Sequence, residues 1–169
     1  LKAKIQYYRS ETRFLRALMY YHAMDMFGNT PFITENDPIG TYLPPQRSRA
    51  ELYSFIESEL LELSDDPYMT EPKQNEYGRA DKAAVWMLLS RLYLNAEVYI
   101  QTPKYDECMK YARNVISAGY DLCPNYAELF MADNGENIDA RKEMIFTINF
   151  DGRWTQSYAT QFLVAGSRG

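Results

Sequence analysis

The chain has little of what metal sites and disulfide scaffolds need: one histidine, His22, and two cysteines, Cys108 and Cys123. That scarcity excludes a disulfide framework and a Cys/His zinc site, and it predicts two free, mostly buried thiols. Long apolar runs are missing as well, with no stretch near the roughly 20 residues of a helical membrane span. Basic residues do not dominate. Lys and Arg number 18 against 23 Asp and Glu, the net charge is −5, and the two signs are interspersed, which excludes a phosphate-neutralising surface for nucleic acid. Catalytic signatures are absent too: there is no G-x-S-x-G elbow, Walker loop, G-x-G-x-x-G or H-E-x-x-H. Glu57, Glu59, Asp65 and Asp66 are the acids a paired-carboxylate glycosidase would draw on, but they read as the charged outer face of a helix. No enzyme activity is expected.

What the chain does have is apolar and aromatic mass. Apolar residues make up 46% of 169, enough for the core of one domain or of a piece of a larger one, and fifteen of the residues are tyrosines. Tyrosine combines a flat apolar face with a polar tip, which suits half-buried positions between helices and also suits flat, hydroxyl-rich ligands. The chain begins at Leu1 within a helical pattern, with no apolar leader and no lipid-acceptor cysteine, and it is expected to be an internal segment of a longer protein.

Residues 2–27 contain neither Gly nor Pro, and Phe14, Ala17, Leu18, Tyr21 and Met24 form an apolar stripe at helical spacing. Gly28 ends this first helix, and Pro31, Pro38, Gly40, Pro44 and Pro45 make 28–47 a long loop. Ser48 with Glu51 forms a capping box for a second helix over 48–64, with Tyr53, Ile56, Leu60 and Leu63 inward. After an irregular stretch through Pro67, Pro72 and Gly78, Asp81 caps a third helix that ends near Val98. A fourth starts at Thr102 and Pro103 and is closed by Gly119.

The four helices repeat in pairs. Trp86, Leu89, Ser90 and Tyr93 have the spacing of Phe14, Ala17, Leu18 and Tyr21, and Tyr105, Cys108, Ala112 and Val115 match the second helix. Such intervals are those of tetratricopeptide helical hairpins, so the fold is expected to be mainly α, with two degenerate repeats over 2–65 and 81–119. Beyond them, 126–131 reads as a short helical turn and 143–150 as a β-strand near the C-terminus whose partner lies outside the chain.

Several runs carry a family resemblance: Arg13-Phe14-Leu15-Arg16-Ala17-Leu18, Phe27-Gly28 with Pro31, Gly78-Arg79-Ala80-Asp81-Lys82-Ala83-Ala84, Arg91-Leu92-Tyr93-Leu94-Asn95-Ala96, and Glu143 with Ile145-Phe146. Over essentially the whole chain the sequence resembles the SusD/RagB family of surface glycan-binding lipoproteins. Glu51-Leu52-Tyr53 and Leu129-Phe130-Met131-Ala132-Asp133-Asn134 are most similar to its starch-binding type. The resemblance implies that 1–169 is a fragment of a single SusD-like domain, a SusD-like α/α superhelix whose irregular glycan-binding part begins at 120–169. It also implies a surface-exposed lipoprotein of a bacterial outer membrane, anchored by a lipid outside this chain. Such a protein delivers an oligosaccharide, with starch or another α-glucan as the expected class, to a TonB-dependent, SusC-like transporter.

Sugars stack their C–H faces on aromatic rings while polar groups read their hydroxyls, so exposed aromatics on irregular segments are the candidates. Tyr158, among polar neighbours, matches a glucan-stacking tyrosine of the starch-binding type; a structural tyrosine is the other reading. Trp154 is a second candidate, although the family pattern does not require an aromatic there. Asp133, Glu136 and Asp139 lie in an oxygen-rich loop of the kind calcium accepts, but the EF-hand order of ligands is missing and a solvated acidic turn is the alternative. No other cofactor is expected. His22 reads as a hydrogen-bonded helix residue, Arg79 and Asp81 as a salt bridge and a cap, and Tyr42 as loop structure or a partner contact. A peptide-binding tetratricopeptide-type protein is the competing functional class.

Overall fold

A computed structural model describes residues 1–38, 40–150 and 152–155. In it α1 (Lys2–Phe27) buries Phe14, Ala17, Tyr21 and Met24 along one face. The helix ends where expected. Gly28 adopts φ 74°, a conformation glycine enters without a Cβ penalty, and its N–H closes the last turn on the Met24 carbonyl at 2.9 Å. The loop that follows is held at its base by a two-residue antiparallel ladder of β1 (Thr30–Pro31) and β2 (Gln46–Arg47). Just past β1, the Tyr20 hydroxyl donates to the Ile33 carbonyl and accepts from the Ile33 N–H, each at 2.9 Å.

Both arms of the capping box at α2 (Arg49–Asp65) are made: the Ser48 hydroxyl accepts from Glu51 N–H, and the Glu51 carboxylate accepts from Ser48 N–H. Those bonds hold the Glu51 carboxyl down at about 2. Leu52, Tyr53, Ile56, Leu60 and Leu63 face inward and α2 packs on α1. Of the acids read as a charged outer face, Asp65 is exposed as expected, but Glu57, Glu59 and Asp66 are not solvated. Glu59 is only 12% exposed and bridges Arg13 and Arg16 of α1 at 2.8 Å each, Asp66 accepts from Ser10 Oγ at 2.6 Å, and Glu57 pairs with Lys104 at 2.6 Å. They are polar ties between helices, placed where two apolar stripes leave a charged seam.

Asp81 caps α3 (Lys82–Leu94) by accepting from the N–H groups of Ala83 and Ala84 at 2.9 and 3.2 Å. The third helix then breaks at Asn95, whose side-chain amide donates to the Arg91 carbonyl, a local competition with the helix ladder that Asn commonly offers. It resumes as α4 (Ala96–Ile100). The fourth helix, α5 (Tyr105–Ser117), starts two residues beyond the expected Pro103, and its inward stripe differs from expectation. Tyr105 is 50% exposed and bonds Glu97, whereas Tyr111 is buried and stacks on Tyr93 with ring centroids 5.8 Å apart.

α3 packs on α5 and also on α2, so the two helix pairs share one core. Lys104 is the rivet between them, its ammonium lying 5.6 and 5.4 Å from the Tyr53 and Tyr93 rings while it pairs with Glu57. After α5 the chain forms a 3₁₀ turn (Tyr126–Phe130), as expected, and a short α6 (Ile138–Glu143). The β-strand expected over 143–150 is not there. Asn137 caps α6, which takes Glu143 into a helix, and the described residues offer no strand to pair with. Two adjacent apolar residues anchor the segment instead: Ile145 and Phe146 pack on the main core, Phe146 meeting Phe14 edge-on at 5.4 Å, while Ile148 and Phe150 stay exposed. Among the described residues no helix is long and apolar enough to cross a membrane.

Burial alone raises the Glu59 carboxyl, but hydrogen bonds from Arg13 and Arg16 outweigh it and hold the group below its ordinary value of 4.5. A depressed carboxyl stabilises the fold fully above that unfolded value and loses its contribution as pH falls below it. Glu59→Gln should therefore cost about 2 kcal/mol at neutral pH, between the cost of exposed and of buried pairs. It should also flatten the loss of stability in acid. Urea denaturation of both forms at neutral and acid pH measures both effects.

Candidate functional site

Specific contacts hold the irregular part against the helix pairs and the linker between them. Asp81 is buried and, besides capping α3, accepts from Lys73 N–H at 2.8 Å and from the Tyr120 hydroxyl at 3.3 Å. Burial raises the Asp81 carboxyl despite these donors, and burial also raises Tyr120. Lys73, in the left-handed region at φ 63°, reaches the Gly119 carbonyl at 2.5 Å and lies over the Tyr120 ring. A second small core of Cys123, Leu129 and Ala140, with Met144 against it, supports the acidic turn. A further contact is at Gly78, φ 83°, where a Cβ would stand 2.3 Å from the Asn149 amide nitrogen. The left-handed backbone favours glycine there, and a Cβ would push the Asn149 side chain aside.

Between Tyr77, the 132–136 turn and the 147–150 segment lies a cavity of about 700 Å³. Its walls combine the Tyr77 and Phe150 rings with Asp133, Asn134, Glu136, Thr147 and Asn149. Thr147 Oγ1 donates to Asn149 Oδ1 at 2.9 Å, which fixes the amide so that its nitrogen is the donating end. The Arg141 guanidinium sits 4.5 Å from the Tyr77 ring centroid. Phe150 is 57% exposed and Trp154, four residues on, is 85% exposed. Flat apolar rings beside hydroxyl, amide and carboxylate groups are what a polyhydroxylated ring requires.

Of the residues picked from sequence, Trp154 is thus on the surface beyond Phe150, while Tyr158 lies outside the described residues. Asp133 and Glu136 are on the cavity wall, but Asp139 pairs with Lys142 at 2.7 Å, which raises the lysine. The turn is held by its own backbone and amides: Glu136 and Asn137 N–H donate to the Asp133 carbonyl, Asn134 to the Leu129 carbonyl and Asn137 to Glu128. Among the described residues no group of three His, Cys, Asp or Glu side chains is placed to hold a metal ion. Arg79 grips Glu11 with two nitrogens at 3.0 and 2.7 Å, the structural role read from sequence, and His22 packs edge-on to Tyr21. Tyr77, Asn149 and Phe150 were missed. Tyr77 beside Gly78 in an irregular stretch was the available signal, and Phe150 was hidden by the strand reading.

No family model matches the chain. The starch-binding protein SusD of Bacteroides thetaiotaomicron is 47% identical over 161 residues, which is 95% of this chain and 28% of that protein. Among solved structures, a laminarin binding SusD-like protein superposes with a TM-score of 0.72 at 25% identity, covering 92% of this chain and 35% of the other. One solved with a xylogluco-oligosaccharide gives 0.77 at 23% identity, covering 90% and 31%, a likeness of fold. The chain spans about a quarter of the length of the curated relatives it matches.

Gly78→Ala should cost about 1–2 kcal/mol of stability through its left-handed backbone and, by displacing Asn149, distort the cavity. Thermal denaturation measures the first effect and amide exchange of 147–150 the second. A chelator should leave the thermal midpoint unchanged; a fall on adding EDTA, restored by calcium, would reinstate the cation at the acidic turn.

Proposed function

Because the chain belongs to the SusD/RagB family, we propose that the protein captures oligosaccharide without cleaving it, with an α-glucan as the ligand class. The observation that carries this reading is the cavity itself, where the half-buried Tyr77 ring and the exposed Phe150 ring adjoin a wall of hydroxyl, amide and carboxylate groups on an irregular segment held by an α-helical frame. The α-glucan class is supported by the extent of identity to a protein named for starch binding. In the proposed complex, sugar C–H faces lie on Phe150, Trp154 and Tyr158, and the Asn149 amide donates to a sugar oxygen. Asp133 and Glu136 accept from sugar hydroxyls. The helix pairs contribute position, not contact.

The proposal extends to the cell surface: a lipid anchor outside this chain would hold the protein on the outer membrane, where it delivers glycan to a TonB-dependent, SusC-like transporter. Neither nucleic acid nor a cofactor has a part in it. The competing peptide-binding reading needs a concave helical groove lined with cations. Here three cations between the helices, Arg13, Arg16 and Lys104, are occupied by acids of α2, and Arg91 lies over the Tyr21 ring.

Affinity electrophoresis of the intact protein through starch, other glucans and mannan separates these readings. Retardation by starch without release of reducing sugar is expected; no retardation by any glycan favours a peptide reader. Tyr158→Ala and Trp154→Ala should each weaken glucan binding by about 1 kcal/mol while leaving the thermal midpoint in place. Unchanged affinity removes that residue from the site.

A further inference from the structure

The charges around the cavity are unequally engaged. Asp133 and Glu136 lie on its wall, and among the described residues neither carboxylate pairs with a cation or accepts a hydrogen bond. Among the described residues its lining contains no lysine or arginine. Nearby, Arg79 is held by Glu11, Lys73 reaches the Gly119 carbonyl and the Tyr120 ring, and Arg141 lies over the Tyr77 ring. A ligand entering this cavity therefore meets two carboxylates without a cation partner on a wall that carries no basic side chain.

Resting on the oligosaccharide reading above, we infer that Asp133 and Glu136 are specificity-determining residues that select uncharged sugars. Each carboxylate offers two oxygens with several lone pairs, which suits paired donors such as the adjacent hydroxyls of a pyranose, and charge-assisted bonds of this kind are the stronger class. The same oxygens repel a uronate carboxylate or a sulfate ester, and the overall charge of −5 adds to that field. Aromatic stacking supplies affinity for a sugar ring whatever its substituents. The two acids decide which substituents are tolerated.

The test compares a neutral maltooligosaccharide with one of the same length oxidised at C6 to glucuronate, titrated into the intact protein by calorimetry. The native protein should bind the neutral ligand at least about tenfold more tightly, the size of one charge-assisted hydrogen bond. That preference should shrink as salt screens the repulsion. In the Asp133→Asn, Glu136→Gln double variant, isosteric and with no side-chain partner to lose, the preference should fall several-fold while the circular dichroism spectrum and thermal midpoint stay unchanged. Equal binding of the two ligands by the native protein overturns the inference, and so does a preference that survives both substitutions. Failure of both ligands to bind overturns the oligosaccharide reading itself, an outcome distinct from a loss of discrimination.

Discussion

One buried carboxylate holds the helical frame and the irregular part together. Asp81 satisfies the first turn of α3 with one oxygen; with the other it holds the backbone of Lys73 in the incoming linker and the hydroxyl of Tyr120 at the outgoing end of the second helix pair. A carboxylate in a buried position persists only when its lone pairs are matched, and here they are filled from three separate stretches of chain. The backbone at residue 73, the start of α3 and the segment leading to the second small core are thereby fixed in one place. Everything on the cavity wall is positioned relative to that node.

The same economy explains the number of tyrosines. Tyr20 ties the long loop to α1 through Ile33, Tyr99 reaches Asp25 across the helix layers at 2.6 Å, and Tyr105 bonds Glu97 beside the break at Asn95. Tyr20 and Tyr99 pack their rings against the apolar core and use their hydroxyls to close polar gaps that phenylalanine would leave open, while the half-exposed Tyr105 contributes its hydroxyl. Tyr53, with no hydroxyl partner, has the Lys104 ammonium over its ring, and burial together with the nearby Glu57 and Glu107 keeps its proton firmly in place. The helices are thus locked as much by polar ends of aromatic residues as by the aliphatic core.

What was legible in the sequence was chemistry that acts over a few residues. The Ser48–Glu51 box, the Gly28 stop and the Asp81 cap are each completed within one turn, and each stands where the pattern placed it. The stripes of α1 and α2 were legible because a helix with a single buried face must repeat it. Tyr105 and Tyr111 both satisfy a helical period on α5, and only contact with Tyr93 decides between them. The cavity was not legible for the same reason: Tyr77 and Phe150 come together through Gly78, Asn149 and the packing of Phe146 on Phe14, contacts between residues distant in the chain. Alternation over 143–150 was misleading for the same reason: the adjacent Ile145 and Phe146 pack on the core while Ile148 and Phe150 are exposed, a pattern set by contacts with α1 and not by a strand period.

The ladder of β1 and β2 has a bearing on how such a scaffold changes over generations. It closes the base of the excursion between the first two helices with a handful of backbone bonds, so the chain re-enters α2 at a fixed place whatever happens at the tip. Once a loop is pinned at its neck, doubling its length costs only about 0.6 kcal/mol of closure entropy. Insertions at the tip, between the neck and Pro44, leave the pairing of α1 with α2 undisturbed, which makes this the part of the fold most open to lineage-specific elaboration.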